Sequence, residues 1–183
     1  MADGAQMTLL PGDRAVDSGA MLRVDQAGEY GAMRIYAGQL AVLGNRHPAA
    51  REITRMRDGE ARHLATFDRM IAERRVRPTA LQPFWHVAGF ALGAATALLG
   101  PKAAMACTVA VETEIDRHYG EQLEALANND PELTGHIADF RADEQEHKAT
   151  ALAHGAEEAP AYPVLSAVIG AACRLAIASS KRI

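Results

Sequence analysis

Asp58-Gly59-Glu60-Ala61-Arg62-His63 and Asp143-Glu144-Gln145-Glu146-His147 carry one signal twice, a glutamate followed by a histidine three residues on. Random placement of the glutamates and histidines in this chain gives roughly half of one such pair, so a single copy means little. Two copies in matching surroundings mean more. Glu29 stands 31 residues before Glu60, and Glu112 stands 32 residues before Glu144. Each half therefore reads as a helix carrying one Glu, a tight turn, and a helix carrying Glu-x-x-His. Two antiparallel hairpins of that kind make a four-helix bundle.

Turn signals delimit the helices. Asp17-Ser18 can cap a helix running to about Gly44, and Pro48 is placed to open the next, which runs from about Ala49 to Arg74. An apolar segment covers about Leu81 to Leu99. Gly100-Pro101 starts a helix to about Ala127. Asn128-Asn129-Asp130-Pro131 combines turn, cap and first helical position for a helix to about His154. After a linker from Gly155 to Pro163, a last apolar helix covers Val164 to Ser179. No window alternates with period two, so the chain is all-α, with two apolar helices added to the bundle.

Position on the helix decides what the glutamates do. Steps of three and four give Leu22, Gln26, Glu29, Met33, Tyr36, Leu40 in the first helix and Ile53, Met56, Glu60, His63, Phe67, Met70 in the second. They give Met105, Thr108, Glu112, Ile115, Tyr119 in the fourth and Leu133, Ile137, Phe140, Glu144, His147, Ala151 in the fifth. Each Glu falls within the stripe that faces the core. Burying four carboxylates costs several kcal/mol apiece unless something offsets it, and these stripes hold no Lys or Arg. Two divalent ions neutralise four carboxylates, and a His one turn from its Glu reaches the same ion. Glu29, Glu60, His63, Glu112, Glu144 and His147 are thus the expected ligands of two metals, in a di-iron or di-manganese arrangement. The bland alternative is a set of buried Glu–His pairs bonded only to one another. Glu52, Glu73, Glu121, Glu124 and Glu132 lie off the stripes and read as solvated; Asp143 and Glu146, which flank the second motif, read as exposed, with support of a ligand by one of them as the alternative. Tyr119, two turns after Glu112 on the same face, could bond a ligand or pass an electron and a proton. His118 beside it reads as a supporting residue of the site or as a polar residue at the helix margin, while Tyr30 and Tyr36 read as packing.

Length and composition bound the rest. With 183 residues and about half of them apolar, the chain suits one domain over 18–183 after a flexible arm over 1–17. A net charge of −4 argues against nucleic acid as a partner. Cys107 and Cys173 sit in unrelated Ala-rich contexts and read as buried core residues. The first twenty residues lack a secretory or transit pattern. From Phe84 to Gly100 run 17 residues without formal charge, short for a membrane span. Spanning there would part the two halves of the site, so the segment is expected to lie on or dip into a bilayer, the alternative being a helix packed on the bundle. Arg74, Arg75, Arg77, Lys181 and Arg182 flank the apolar helices and suit an anionic lipid surface.

The string Arg23-Val24-Asp25-Gln26-Ala27-Gly28-Glu29-Tyr30-Gly31-Ala32, with Glu60-x-x-His63, Val111-Glu112, His118-Tyr119 and Asp143-Glu144-x-x-His147, resembles the demethoxyubiquinone hydroxylase family of ubiquinone biosynthesis. The resemblance runs from about Met21 to Ile183. It implies a ferritin-like fold, two irons on the six residues named above, and O2 as oxidant. It also implies a polyprenyl quinone substrate lacking one hydroxyl and an external reductant such as NADH or the reduced quinol. The expected place is the cytoplasmic face of a bacterial inner membrane, with self-association or other ubiquinone-biosynthesis proteins as further partners. Two rivals use the same pattern: a ferritin-like protein that oxidises iron or destroys peroxide, and a non-catalytic quinone-binding scaffold with a structural metal.

Overall fold

The computed structural model describes residues 17–127 and 129–182. Six α-helices follow one another: α1 (Ser18–Leu43), α2 (Ala50–Arg74), α3 (Gln82–Leu98), α4 (Pro101–Leu126), α5 (Pro131–Ala153) and α6 (Tyr162–Ser180), with a 3-10 turn at Ala156–Glu158. No strand occurs among the described residues. Apart from Asp17, the expected N-terminal arm lies outside them, as does Asn128.

The caps act as their side chains dictate. The Asp17 carboxylate accepts from the Ala20 amide at 2.9 Å, and Asp130 accepts from Leu133 at 3.1 Å with Pro131 behind it. Gly44, at φ +73°, stops α1 in a conformation that costs glycine little. Pro48 does not open α2; it lies in the preceding turn, and the helix begins two residues later. Helix α6 starts at Tyr162 rather than Val164, because Pro163 sits inside the first turn.

Helices α1 and α2 form one hairpin and α4 and α5 the other, giving the expected ferritin-like four-helix bundle. The bundle core is not continuous. Tyr36, Ile53, Met56, Met105 and Val109 pack together towards one end. Leu22, Phe67, Met70, Tyr119, Ile137 and Phe140 pack towards the other. The four glutamates and two histidines fill the layer between.

The two remaining helices cover the α1 and α4 side. Helix α3 crosses over and lies along α1 so closely that side chains would obstruct it. A Cβ on Gly93 would stand 1.9 Å from the Ile35 carbonyl oxygen, and one on Gly38 would stand 2.2 Å from that of Phe90. The inner face of α3 buries only Gly93, Thr96 and Ala97, while Phe84, Val87 and Leu98 on other faces remain exposed. The segment thus packs on the bundle by one face, as the packed-helix alternative has it, and leaves apolar side chains exposed on the others. Helix α6 leans on α4 through Ile169 and Gly170 and exposes Val164, Val168 and Leu175. It is long and apolar enough to cross a membrane. Midway along it, however, Arg174 pairs with the buried Glu114 of α4, which also accepts from Arg117 at 3.0 Å.

Candidate metal centre

All six expected ligand residues meet at mid-height, and all six are buried. Two donor sets form, each with its atoms within 4.8 Å of one another. Glu29, Glu60, His63 and Glu144 make one; Glu60, Glu112, Glu144 and His147 make the other. The sets overlap in Glu60 and Glu144, and the atoms divide accordingly. Glu144 turns Oε1 to His63 Nδ1 and Oε2 to His147 Nδ1, both at 3.0 Å. Glu60 turns Oε2 to His63 at 3.5 Å and Oε1 to His147 at 3.2 Å. Two carboxylates thus each offer one oxygen to either side, while Glu29 and Glu112 belong to one side each.

Hydrogen bonds outside the cluster set the imidazoles and the outer carboxylates. His63 Nε2 lies 3.0 Å from the Asp143 carboxylate, so an N–H there leaves Nδ1 free as a donor atom towards the cluster. Gly59 makes room for the other ring, since a Cβ there would stand 3.0 Å from His147 Nε2. The Tyr36 hydroxyl donates to Glu112 Oε1 at 3.0 Å, and the Tyr119 hydroxyl donates to Glu29 Oε1. After these bonds, Glu29 Oε2, Glu112 Oε2, both oxygens of Glu60, Glu144 Oε1 and His63 Nδ1 remain buried without a hydrogen-bond partner. A bare Glu–His network would satisfy its own members. Orphaned oxygens and nitrogen converging on two points instead match the donor chemistry of first-row divalent ions.

Without such ions the cluster must hold protons. Burial, and then the charges of Glu144 and Glu29, push the Glu60 carboxyl well above its ordinary range. Burial and Glu144 do the same for Glu112. Burial also works against Glu144 ionising, but the bond from His147 and the adjoining His63 hold it down at about 2. Burial opposes charge on the histidines too; for His63 the adjoining carboxylates of Glu144, Glu29 and Glu60 more than offset it, and for His147 the bond to Glu144 and the charge of Glu112 do, so both are raised.

Of the two neighbours singled out in the sequence, Tyr119 touches the cluster and His118 does not. His118 is buried rather than marginal, 3.4 Å from Asp25, whose other contact is Gln122 Nε2 at 2.8 Å. Tyr36 is not mere packing. Its signal was available: it follows Glu29 by seven residues, as Tyr119 follows Glu112. Asp143, read as solvated, is half exposed yet bonds His63, whereas Glu146 does face outward and pairs with Arg55. Cys107 is buried in the core as expected, but Cys173 is only half buried because it borders a cavity.

That cavity, about 180 Å³, lies over the seam between α1 and α4, roofed by α3 and α6. Gly31, Ile35, Leu92, Val111, Ile115 and Cys173 are among its apolar walls. Gly28 and Val111 line it, and each directly precedes an outer ligand candidate, Glu29 or Glu112. A Cβ built on Gly28 or Gly31 meets nothing within 4 Å.

Comparison with known proteins bears on what such a centre does. The family model described as ubiquinone biosynthesis protein COQ7 matches residues 17–180. The 3-demethoxyubiquinol 3-hydroxylase of Rhodospirillum rubrum is 54% identical over 176 residues, covering 95% of this chain and 83% of that protein. The human mitochondrial NADPH-dependent 3-demethoxyubiquinone 3-hydroxylase is 53% identical over 167 residues, 89% of this chain and 76% of its own. The mitochondrial 5-demethoxyubiquinone hydroxylase of Saccharomyces cerevisiae is 45% identical over 179 residues, with coverages of 89% and 77%.

The proton load predicts how the metal-free fold responds to pH. Glu60, Glu112, His63 and His147 all have folded-state values above their unfolded ones. The stability each contributes is complete below its unfolded pKa and is lost as pH rises towards the folded value. Glu144 runs the other way, but its loss occurs only as pH falls from about 4.5 towards about 2. Chelator-treated protein should therefore unfold at lower denaturant at about pH 8 than at about pH 5.5. Added Fe(II) should raise the midpoint more at the higher pH. Stability of the apo-protein that climbs with pH across that window would contradict this account of the cluster.

Proposed function

The chain belongs to the COQ7 family of ubiquinone biosynthesis proteins, and from that premise we propose that it hydroxylates the ring of a demethoxyubiquinone-type quinol or quinone at a di-iron centre, with O2. The observation that carries the reading is the pair of overlapping donor sets sharing Glu60 and Glu144, with orphaned atoms directed at both points. Glu29 and His63 would hold one iron, Glu112 and His147 the other, and Glu60 and Glu144 would bridge them. Bound there, the irons supply O2 activation. A ring C–H becomes C–OH, the second oxygen atom leaves as water, and two electrons come from a reduced nicotinamide nucleotide, as the human relative's name suggests.

The protein's own part is positioning and exclusion. Apolar cores above and below the donor layer keep bulk water from it. The cavity over the α1–α4 seam would take the quinone ring, because its walls are apolar and Gly28 and Gly31 leave room that a side chain would fill. Gly28 and Val111 in its wall directly precede Glu29 and Glu112, so a ring held there would lie against the two helices that carry the outer ligand candidates. Arg174 anchors α6 beside this cavity through Glu114.

A lipid-soluble substrate calls for contact with its membrane. The exposed apolar residues Phe84, Val87 and Leu98 of α3 and Val164, Val168 and Leu175 of α6 lie on the two helices that roof the cavity. Arg23 ties the two ends together, donating to the Arg77 carbonyl at 2.9 Å and to that of Lys181 at 3.3 Å. We read this face as lying on an anionic bilayer, at the cytoplasmic side of a bacterial inner membrane, with α6 resting on it rather than crossing. An Arg–Glu pair to the bundle midway along α6 is at odds with a lipid-surrounded span.

Two experiments test this. Glu60→Gln keeps the side-chain shape but removes a charge and a bridging oxygen. Cells relying on the variant should accumulate the unhydroxylated precursor over ubiquinone in lipid extracts, with protein abundance unchanged. Normal ubiquinone with a stable, iron-poor variant would instead favour a quinone-binding scaffold. For the membrane, Val87→Asp with Val168→Asp replaces two exposed side chains, so helicity should be retained. Flotation with anionic vesicles should fall by at least tenfold, since burying two carboxylates in lipid costs more than about 1.4 kcal/mol in all. Undiminished flotation would place the membrane contact elsewhere.

A further inference from the structure

The two tyrosines at the cluster are related by the same internal repeat as the ligands, and their bonds cross it. Tyr36 follows Glu29 and Tyr119 follows Glu112, each by seven residues, two turns along the same helix face. Neither tyrosine bonds the glutamate of its own helix. Tyr36 of α1 donates to Glu112 of α4, and Tyr119 of α4 donates to Glu29 of α1. In both cases the hydroxyl takes Oε1, and in both cases Oε2 is left buried and unpartnered.

Both rings are held by packing on their far sides. Tyr36 belongs to one apolar core, with Met56 Sδ 3.9 Å from its hydroxyl, and Tyr119 belongs to the other. At 2% and 1% exposure neither ring has water to turn to. A carboxylate can bind one ion through one oxygen or both. A hydroxyl fixed on one oxygen competes with its binding to metal and biases the group to the single free oxygen. Glu60 and Glu144, which have an oxygen for each metal, carry no such hydroxyl.

We infer that Tyr36 and Tyr119 are a crossed pair of positioning residues, each holding the outer carboxylate of the opposite half to one metal-facing oxygen and so keeping a coordination position open at each metal. This rests on the di-metal reading above. It gives Tyr36 of α1 the same task as Tyr119 of α4. It also couples the two hairpins, since each half completes the other's ligand.

The test uses Co(II) alone, anaerobically, on wild type, Tyr36→Phe and Tyr119→Phe, with visible absorption and the infrared carboxylate stretches as readouts. Wild type should take up two Co(II) per chain with intense, low-coordinate bands and widely split, single-oxygen carboxylate stretches. Each Phe variant should still bind two, but its absorption should fall several-fold and one carboxylate splitting should narrow as Glu112 or Glu29 chelates. Variants with two Co(II) and wild-type spectra would overturn the positioning role and leave the di-metal reading intact. Wild type that fails to bind two Co(II) would overturn the di-metal reading itself. Should a Phe variant not fold, the wild-type spectrum decides: narrow splitting for all four carboxylates would overturn the inference, and wide splitting for the outer pair would support it.

Discussion

Four carboxylates stand in the middle of this bundle, and among the described residues only two histidines lie within ion-pair distance of them. Each buried charge disfavours folding by several kcal/mol when unpaired, against a net stability of about 5–15 kcal/mol for a whole domain. Protons on Glu60 and Glu112 relieve part of the repulsion in the metal-free chain. Metal would relieve it by attraction, and binding free energy would then become folding free energy. The split core follows from the same constraint: apolar side chains seal the layer at both ends, and Tyr36 and Tyr119 reach into it from them.

The second constraint is access. On the proposed function, a centre with apolar cores at both ends of the bundle would be reached from the side, where the cavity lies over the α1–α4 seam. There the small residues of α1 and α3 serve two purposes. Gly38, Gly89 and Gly93 allow the backbones to meet, which holds α3 against the bundle with little side-chain burial. Gly28 and Gly31 face open space and leave the cavity. A helix fastened by its backbone can keep large apolar side chains on the outside, which is where a bilayer would meet them.

Much of this was legible in the sequence because two periodicities coincide. The three-and-four stripes placed each Glu and each Glu-x-x-His on a core face, and the helix repeat placed those faces opposite one another. Asp17, Pro101, Asp130 and Pro131 marked helix ends to within a residue or two because caps and first-turn prolines act locally. What stayed hidden depends on partners far along the chain. A glycine in an apolar segment does not say which backbone it will meet, so the α1–α3 contact was not readable. Glu114 reads as one more helix charge until Arg174, sixty residues on, is brought to it. Tyr36 was passed over because an aromatic on a core stripe usually packs, although its seven-residue offset from Glu29 repeats that of Tyr119. The bond from Asp143 to His63 joins two helices whose relative height no stripe specifies.

The account depends on two metal ions bound side by side by shared carboxylates. Mössbauer spectroscopy of the wild-type chain, loaded anaerobically with 57Fe(II) and then exposed to O2, reads that directly. The account predicts two irons per chain, both high-spin ferrous before oxygen, and converting together to an antiferromagnetically coupled diferric pair. One iron per chain, or two that oxidise to isolated paramagnetic ferric ions, would contradict it.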